Sequence, residues 1–348
     1  MKARIILAIL IVLSMLITSV GFDDDGAMFV KNVSGTPDQE TERANINHMA
    51  FYVPMQNANG RVLTAEDMAT QYFVDYAGDE VAKSLVGTRL YAKPLVSVYI
   101  DYLDEEVHLG SGGAGMAAHD AYGAVSLDDG ATWKRTNLSH SAHLSSFTLA
   151  NGEAFPGDAH NMTFAIAGDK VLVAWISKYC DGGSPAYTWL DEEGSELYPD
   201  IWGVGGTQKS VDYTFEGFPE VGEIPYSCVW AARGQLLPID GDPTIGYDIV
   251  WTKAERLTSG RRDANRLEIN GDGAAGFMMV WQEDPEGLRP GQGLGPGEGW
   301  SGAVVNQQTD LWYSSISIED FVMVADENDT VVPLEEYLGE TQPKVAVP

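Results

Sequence analysis

The eight residues Ser126-Leu127-Asp128-Asp129-Gly130-Ala131-Thr132-Trp133 constrain this chain most. They read S-x-D-x-G-x-T-W and lie between two strand-like runs, 121–127 and 132–138. Asp-Asp-Gly between such runs predicts a tight hairpin, because Gly130 takes a positive φ without steric cost. Asp128 can accept hydrogen bonds from the amides of its own turn, which locks the loop. Trp133 then anchors the next strand with a large apolar surface. A chain built around such a lock is expected to be antiparallel and all-β.

Composition agrees. Gly 38, Trp 9 and Tyr 15 among 348 residues, with 21% charged, suit a loop-rich β protein better than a helical one. That length holds one large β domain or two smaller ones. The formal charge of −30, from 51 acids against 21 bases, repels nucleic acid and anionic lipid headgroups. Nucleic acid is therefore excluded as a partner. Solubility in a saline or calcium-bearing medium is the plain reason for such a charge.

The first residues indicate the compartment. Lys2 and Arg4 precede an apolar run at 5–17, and Ser19-Val20-Gly21 offers small residues for cleavage after Gly21. Residues 1–21 read as a signal peptide, with an uncleaved anchor as the rival; no membrane span is expected after cleavage. The chain is expected to be exported, whether extracellular, on the cell surface or periplasmic. An exported chain keeps disulfides, so Cys180 and Cys228 are expected to pair, two buried thiols being the alternative.

Residues 22–93 form an N-terminal segment with weak periodicity. Thr64 followed by Asp67 predicts a capped short helix around 65–71. From 94 to 348 short apolar runs alternate with Gly, Pro, Asp and Asn. Ser111-Gly112-Gly113-Ala114-Gly115 is no phosphate loop, because no Lys-Ser or Lys-Thr follows it. Two kinds of run recur. One ends in Trp, at Trp175, Trp230 and Trp281; the other starts with Asp ahead of an aromatic, at Asp120, Asp200, Asp248 and Asp310. Such recurrence fits four-stranded blades with variable insertions, among them a Gly/Pro-rich loop at 284–302.

The octapeptide resembles the Asp-box of the sialidase-like, BNR-repeat β-propellers, with Ser126, Asp128, Gly130, Thr132 and Trp133 as its structural residues. The resemblance implies a β-propeller of four-stranded antiparallel blades, with the box on the turn between a blade's third and fourth strands. Four Asp-led runs are fewer than that family's six blades imply, so either some blades go unrecognised in the sequence or the propeller is incomplete, the reading that the strand-like C-terminal end favours. The runs 165–180 and 225–234 also resemble exported bacterial surface proteins of the choice-of-anchor kind. This chain has no such anchoring tail, which suggests a truncated C-terminus.

Chemistry is harder to place. The sialidase resemblance implies an arginine triad, a Tyr-Glu pair and an Asp acid/base. The early Arg-Ile-Pro motif is missing, Arg261-Arg262 is an adjacent pair on a turn, and no catalytic residue can be carried over. Five of the six histidines lie between 108 and 160. His140, His143 and His160, with Asp158 as an oxygen ligand, form a candidate transition-metal set, weighed against ordinary loop histidines. Calcium is the more natural ion for the oxygen-rich turns at 240–242 and 270–273, which read first as hairpin turns. The expected function is a surface or secreted binding protein for an extracellular polymer such as carbohydrate, or for a surface protein. Trp189, Trp202 and Trp300 are candidate stacking rings. The alternatives are a sialidase-like glycoside hydrolase and a structural envelope-assembly protein.

Overall fold

The computed structural model describes residues 32–35, 41–70, 72–74, 80–83, 90–104, 118–142, 144–155, 157–180, 189–190, 196–197, 208–285, 309–325 and 331–333. Three antiparallel sheets dominate them. The first runs β1 (Thr41–His48), β2 (Leu95–Asp104), β3 (Ala118–Ser126) and β4 (Lys134–Asn137), in that spatial order. The second follows the same path through β5 (Ala159–Ala167), β6 (Lys170–Ser177), β7 (Cys228–Pro238) and β8 (Tyr247–Trp251). A further piece, β9 (Glu255–Arg256), also pairs with β7. The third contains β10 (Asp263–Asp272), β11 (Gly276–Asp284) and β12 (Asp310–Ile316). Each is a meander in which sequence neighbours pair, the construction of a β-propeller blade. The protein is thus all-β and blade-built.

The sheets stack face to face, and burial explains their sequences. The second sheet is covered on both faces, so β6 reads as a continuous apolar run, Val171 to Ile176, all buried. In the third sheet β10 buries its first three residues, Asp263 to Asn265, and from Arg266 on alternates exposed with less exposed positions. One core lies between the first two sheets and joins Val96, Val98, Ile100, Ala121 and Val125 to Val173, Trp175, Trp230 and Trp251. A second joins Leu172, Ala174, Ile176, Val229 and Ala231 to Phe277, Met279 and Trp281. Trp251 enters the first core where two glycines leave room. A Cβ on Gly123 would sit 2.9 Å from its ring, and one on Gly234 only 2.5 Å away.

The repeat is more regular in space than in sequence. Each sheet has a cross-strand aromatic pair joining its second and third strands: Tyr99 with Tyr122, Trp175 with Trp230 and Trp281 with Trp312. Opposite each pair the first strand carries a bulge, between Glu42 and Asn45, His160 and Thr163, and Asn265 and Glu268. Each bulge holds one non-glycine residue at positive φ: Arg43 at 53°, Asn161 at 46° and Arg266 at 54°. This corrects the sequence-derived repeat. Trp230 lies on a third strand, equivalent to Tyr122 and Trp312, so Cys228 stands where Asp120 and Asp310 stand in the other sheets. Asp248 instead lies on a fourth strand, where its carboxylate pairs with Lys134 Nζ of the first sheet at 2.5 Å. Asp200 lies outside the described residues.

The octapeptide joins β3 to β4, the third and fourth strands of the first sheet. The turn between them runs from Leu127 to Trp133, wider than the tight hairpin expected from Asp-Asp-Gly, and side chains hold it together. Asp128 accepts from Thr132 N at 2.8 Å, Thr132 Oγ1 at 2.7 Å and Ser126 Oγ at 2.8 Å. Asp129 and Gly130 turn the chain with φ of 55° and 87°, and Trp133 Nε1 donates back to Gly130 O at 3.0 Å. Ala58 N donates to Thr132 Oγ1, so a neighbouring segment covers the turn and Asp128 is buried. Further back, α1 (Ala65–Thr70) begins at Thr64, which exchanges hydrogen bonds with Asp67. Cys180 and Cys228 form a disulfide tying the residues after β6 to the start of β7.

Candidate functional site

All three second-to-third-strand connections leave and return at one end of the stack. β2 ends at Asp104 and β3 begins at Ala118; β6 ends at Ser177 and β7 begins at Cys228; β11 ends at Asp284 and β12 begins at Asp310. The octapeptide turn lies at the opposite end of its sheet. The polar end carries a cluster of buried ionisable groups where the first and second sheets meet.

Asp158, the residue before β5, is fully buried. Its Oδ1 is 2.6 Å from His119 Nδ1, on β3 of the first sheet, and its Oδ2 is 2.5 Å from His160 Nε2. Its Oδ1 also accepts the His119 backbone N–H at 3.2 Å. Burial alone would raise the Asp158 pKa, but the charge of His160 and hydrogen bonds from both imidazoles bring it down to about 2. The carboxylate is therefore ionised at neutral pH and can only accept. The nitrogens facing it, His119 Nδ1 and His160 Nε2, are therefore the ones that carry a proton toward it. The two rings lie 6.0 Å apart, and His160 keeps 19% of its side chain exposed.

Lys178, just past β6, is buried beside this cluster and donates to Pro225 O at 3.3 Å. Burial lowers its pKa, and the carboxylates of Asp263 and Asp158 oppose that shift. Asp263 is the third-sheet counterpart of Asp158: it opens β10 and its Oδ1 accepts the Ser227 N–H at 2.7 Å. His119 and Ser227 hold equivalent places at the starts of β3 and β7. One clip therefore recurs, in which a carboxylate opening one sheet accepts an amide from the third strand of the sheet before it. Asn161 Nδ2 adds a link to Asn265 Oδ1 at 2.6 Å, between equivalent strands.

Of the candidate metal set, Asp158 and His160 meet, and His119 takes the third place. His140 lies in the loop after β4, its backbone N–H bonded to Asn137 Oδ1, and His143 lies outside the described residues. Among the described residues no group of three His, Cys, Asp or Glu side chains is disposed to hold a metal ion. Both oxygen-rich turns spend carboxylate acceptors on their own backbones: Asp242 Oδ1 takes Thr244 N, and Asp272 Oδ1 takes Ala274 N and Ala275 N. Trp202, Trp300 and most of the Gly/Pro-rich loop lie outside the described residues; Trp189 pairs through its backbone with Leu197.

Lys178 and Asp263 escaped the reading by residue type. A signal for Asp263 exists in the pair Asp158-Ala159-His160-Asn161 and Asp263-Ala264-Asn265-Arg266, which align as one repeat of Asp-Ala before the bulges of the second and third sheets.

No family model matches the chain, and no curated protein matches it. Among solved structures the chain is similar to the Trypanosoma rangeli sialidase in complex with sialic acid. The identity is 12% and the TM-score 0.28, over 72% of this chain and 32% of that one. The chain thus spans about a third of that sialidase's length. Likeness at this level carries no residue role and no activity across.

Proposed function

We propose that this chain is an exported, propeller-type binding protein that holds an extracellular polymer, carbohydrate foremost, at the polar end of its sheets. The observation that supports this reading best is the convergence there of His119, Asp158, His160 and Lys178 with the ends of all three second-to-third connections. Loops on a rigid β scaffold carry recognition more often than its strands do. The partly exposed His160 ring gives a hydroxyl-rich ligand a polar point of contact at that end. Export is supported by the Cys180–Cys228 disulfide and the charged-then-apolar start of the sequence. In this reading the Ser126–Trp133 turn is an Asp-box with a structural role only. The test is a panel of immobilised polysaccharides probed with the purified chain and with His160→Ala. Retention by one polymer class that the variant loses supports the proposal; equal retention of both proteins, or none by either, refutes it.

A glycoside hydrolase is the second reading. It is favoured by the exposed Arg43 and Arg266, held at equivalent strained positions on the first strands of the first and third sheets, since non-glycine residues at positive φ gather at functional sites. Release of chromophore from aryl glycosides, abolished by Arg43→Ala and Arg266→Ala, would establish it; a chain inert on the whole set leaves binding as the function.

A further inference from the structure

At the polar end the third sheet carries two carboxyl groups that the His119–Asp158–His160 cluster does not involve. Glu283, near the end of β11, and Asp310, the first residue of β12, stand directly opposite each other, two residues from the Trp281–Trp312 pair and on the same face as it. Each carboxyl has one oxygen held and one open. Glu283 is only 7% exposed, and its Oε1 accepts Trp281 Nε1–H at 2.7 Å. Asp310 keeps 64% of its side chain exposed, and its Oδ2 accepts from Arg262 Nη1 at 2.9 Å. Among the described residues no hydrogen bond reaches Glu283 Oε2 or Asp310 Oδ1. The Arg262 guanidinium is steadied from its other side by the Trp312 ring, whose centroid is 5.5 Å away. Burial raises the Glu283 pKa, and the Asp310 charge adds to that rise; the Trp281 hydrogen bond and the Arg262 charge oppose it. Two adjacent carboxyls, one buried and one in water beside a guanidinium, are thus set apart as an acid and its charged partner.

We infer that Glu283 and Asp310 are the catalytic carboxyls of a site that hydrolyses neutral glycosides, an inference that rests on the hydrolase reading above. Residues directly opposed on antiparallel strands have Cβ atoms about 5 Å apart. Carboxyl groups about 5 Å apart are the spacing of a glycosidase that retains configuration. Trp312, 43% exposed beside Asp310, offers a sugar ring an apolar wall. The formal charge of −30 repels acidic sugars, which selects neutral ones. With Oε1 occupied as an acceptor, the proton of neutral Glu283 sits on Oε2. Glu283 gives that proton to the glycosidic oxygen as its bond to the anomeric carbon breaks. Asp310 Oδ1 bonds to the same carbon and forms a glycosyl ester. Water then attacks the carbon, Glu283 takes the water's proton, and the ester bond breaks. One water is consumed, and both carboxyls return to their first state.

Phenyl and dinitrophenyl pyranosides of neutral sugars test this with the full chain. Glu283→Gln keeps an acceptor for Trp281 and removes the proton. It should slow hydrolysis of the phenyl glycosides at least ~100-fold. Its first-turnover release of dinitrophenol, a leaving group that needs no proton, should match the parent's. Asp310→Ala should lose at least ~100-fold on both kinds of substrate. Added azide should restore its turnover and yield a glycosyl azide of inverted configuration. Circular dichroism of both variants should match the parent. A chain that hydrolyses the set and tolerates both changes overturns the inference and leaves the hydrolase reading standing. Losses without the leaving-group difference and without azide rescue overturn it as well. A chain inert on every substrate overturns the inference and the hydrolase reading together.

Discussion

Replacing Asp128 by alanine should show how much of the first sheet depends on its turn. The carboxylate accepts three hydrogen bonds, from Thr132 N, Thr132 Oγ1 and Ser126 Oγ, all at 2.7–2.8 Å. At about 1 kcal/mol net for each such bond, the loss is about 3 kcal/mol. Some of that is offset, because burial of the charged form raises the Asp128 pKa and the Thr132 and Ser126 bonds oppose that rise. A raised folded pKa means that this term favours folding at low pH and fades as pH climbs through the folded value. Asp128→Asn keeps an acceptor for Thr132 N and drops the charge, so it should cost about 1 kcal/mol or less. The assay is urea unfolding of both variants, with hydrogen exchange at Gly130, Thr132 and Ala58 as the local readout. Exchange should speed at all three amides in the alanine variant, because Ala58 N is held by the same Thr132 hydroxyl. An alanine variant within about 1 kcal/mol of the parent, or an asparagine variant as unstable as the alanine one, refutes the reasoning.

Three further outcomes follow from the same geometry. Removing the disulfide by Cys180→Ser with Cys228→Ser frees a loop of sequence separation 48, which costs about 4 kcal/mol by loop entropy and should appear as a lower urea midpoint. Asp158 has a folded pKa lowered from 3.8 to about 2, so it contributes stability above about pH 4 that is lost as pH falls through about 2, of order 2 kcal/mol; an acid titration of Asp158→Asn by fluorescence should lack that loss. Gly234→Ala places a Cβ 2.5 Å from the Trp251 ring and should cost about 2–3 kcal/mol as overpacking, partly relieved when Trp251→Phe is added.

What the sequence disclosed follows from how local each feature is. The octapeptide's lock lies within eight residues, so its type and place between two strands were legible; its width was not, because Ala58 and Gln56 arrive from another segment. The cysteine pairing was legible because only two cysteines exist. The blade repeat was half legible. Its aromatic positions recur, but Cys228 replaces the aspartate in the second sheet and connections of unequal length hide the register. Asp248 looked like a member only because an Asp-led, Trp-ended run also arises on a fourth strand. The polar cluster was least legible. His119 and Asp158 are 39 residues apart and meet only because one sheet stacks on the next. Lys178 has no motif at all; its meaning comes from burial.

Hydrogen exchange with a bound ligand tests the central proposal most directly. The probe is the polysaccharide that retains the chain most strongly on the panel, added in excess over the protein. Protection is predicted at 118–121, 157–163 and 177–180, the segments that carry His119, Asp158, His160 and Lys178. The Ser126–Trp133 turn at the other end should be unchanged. Protection confined to that turn, or to the outward face of the third sheet, would contradict a binding site at the polar end.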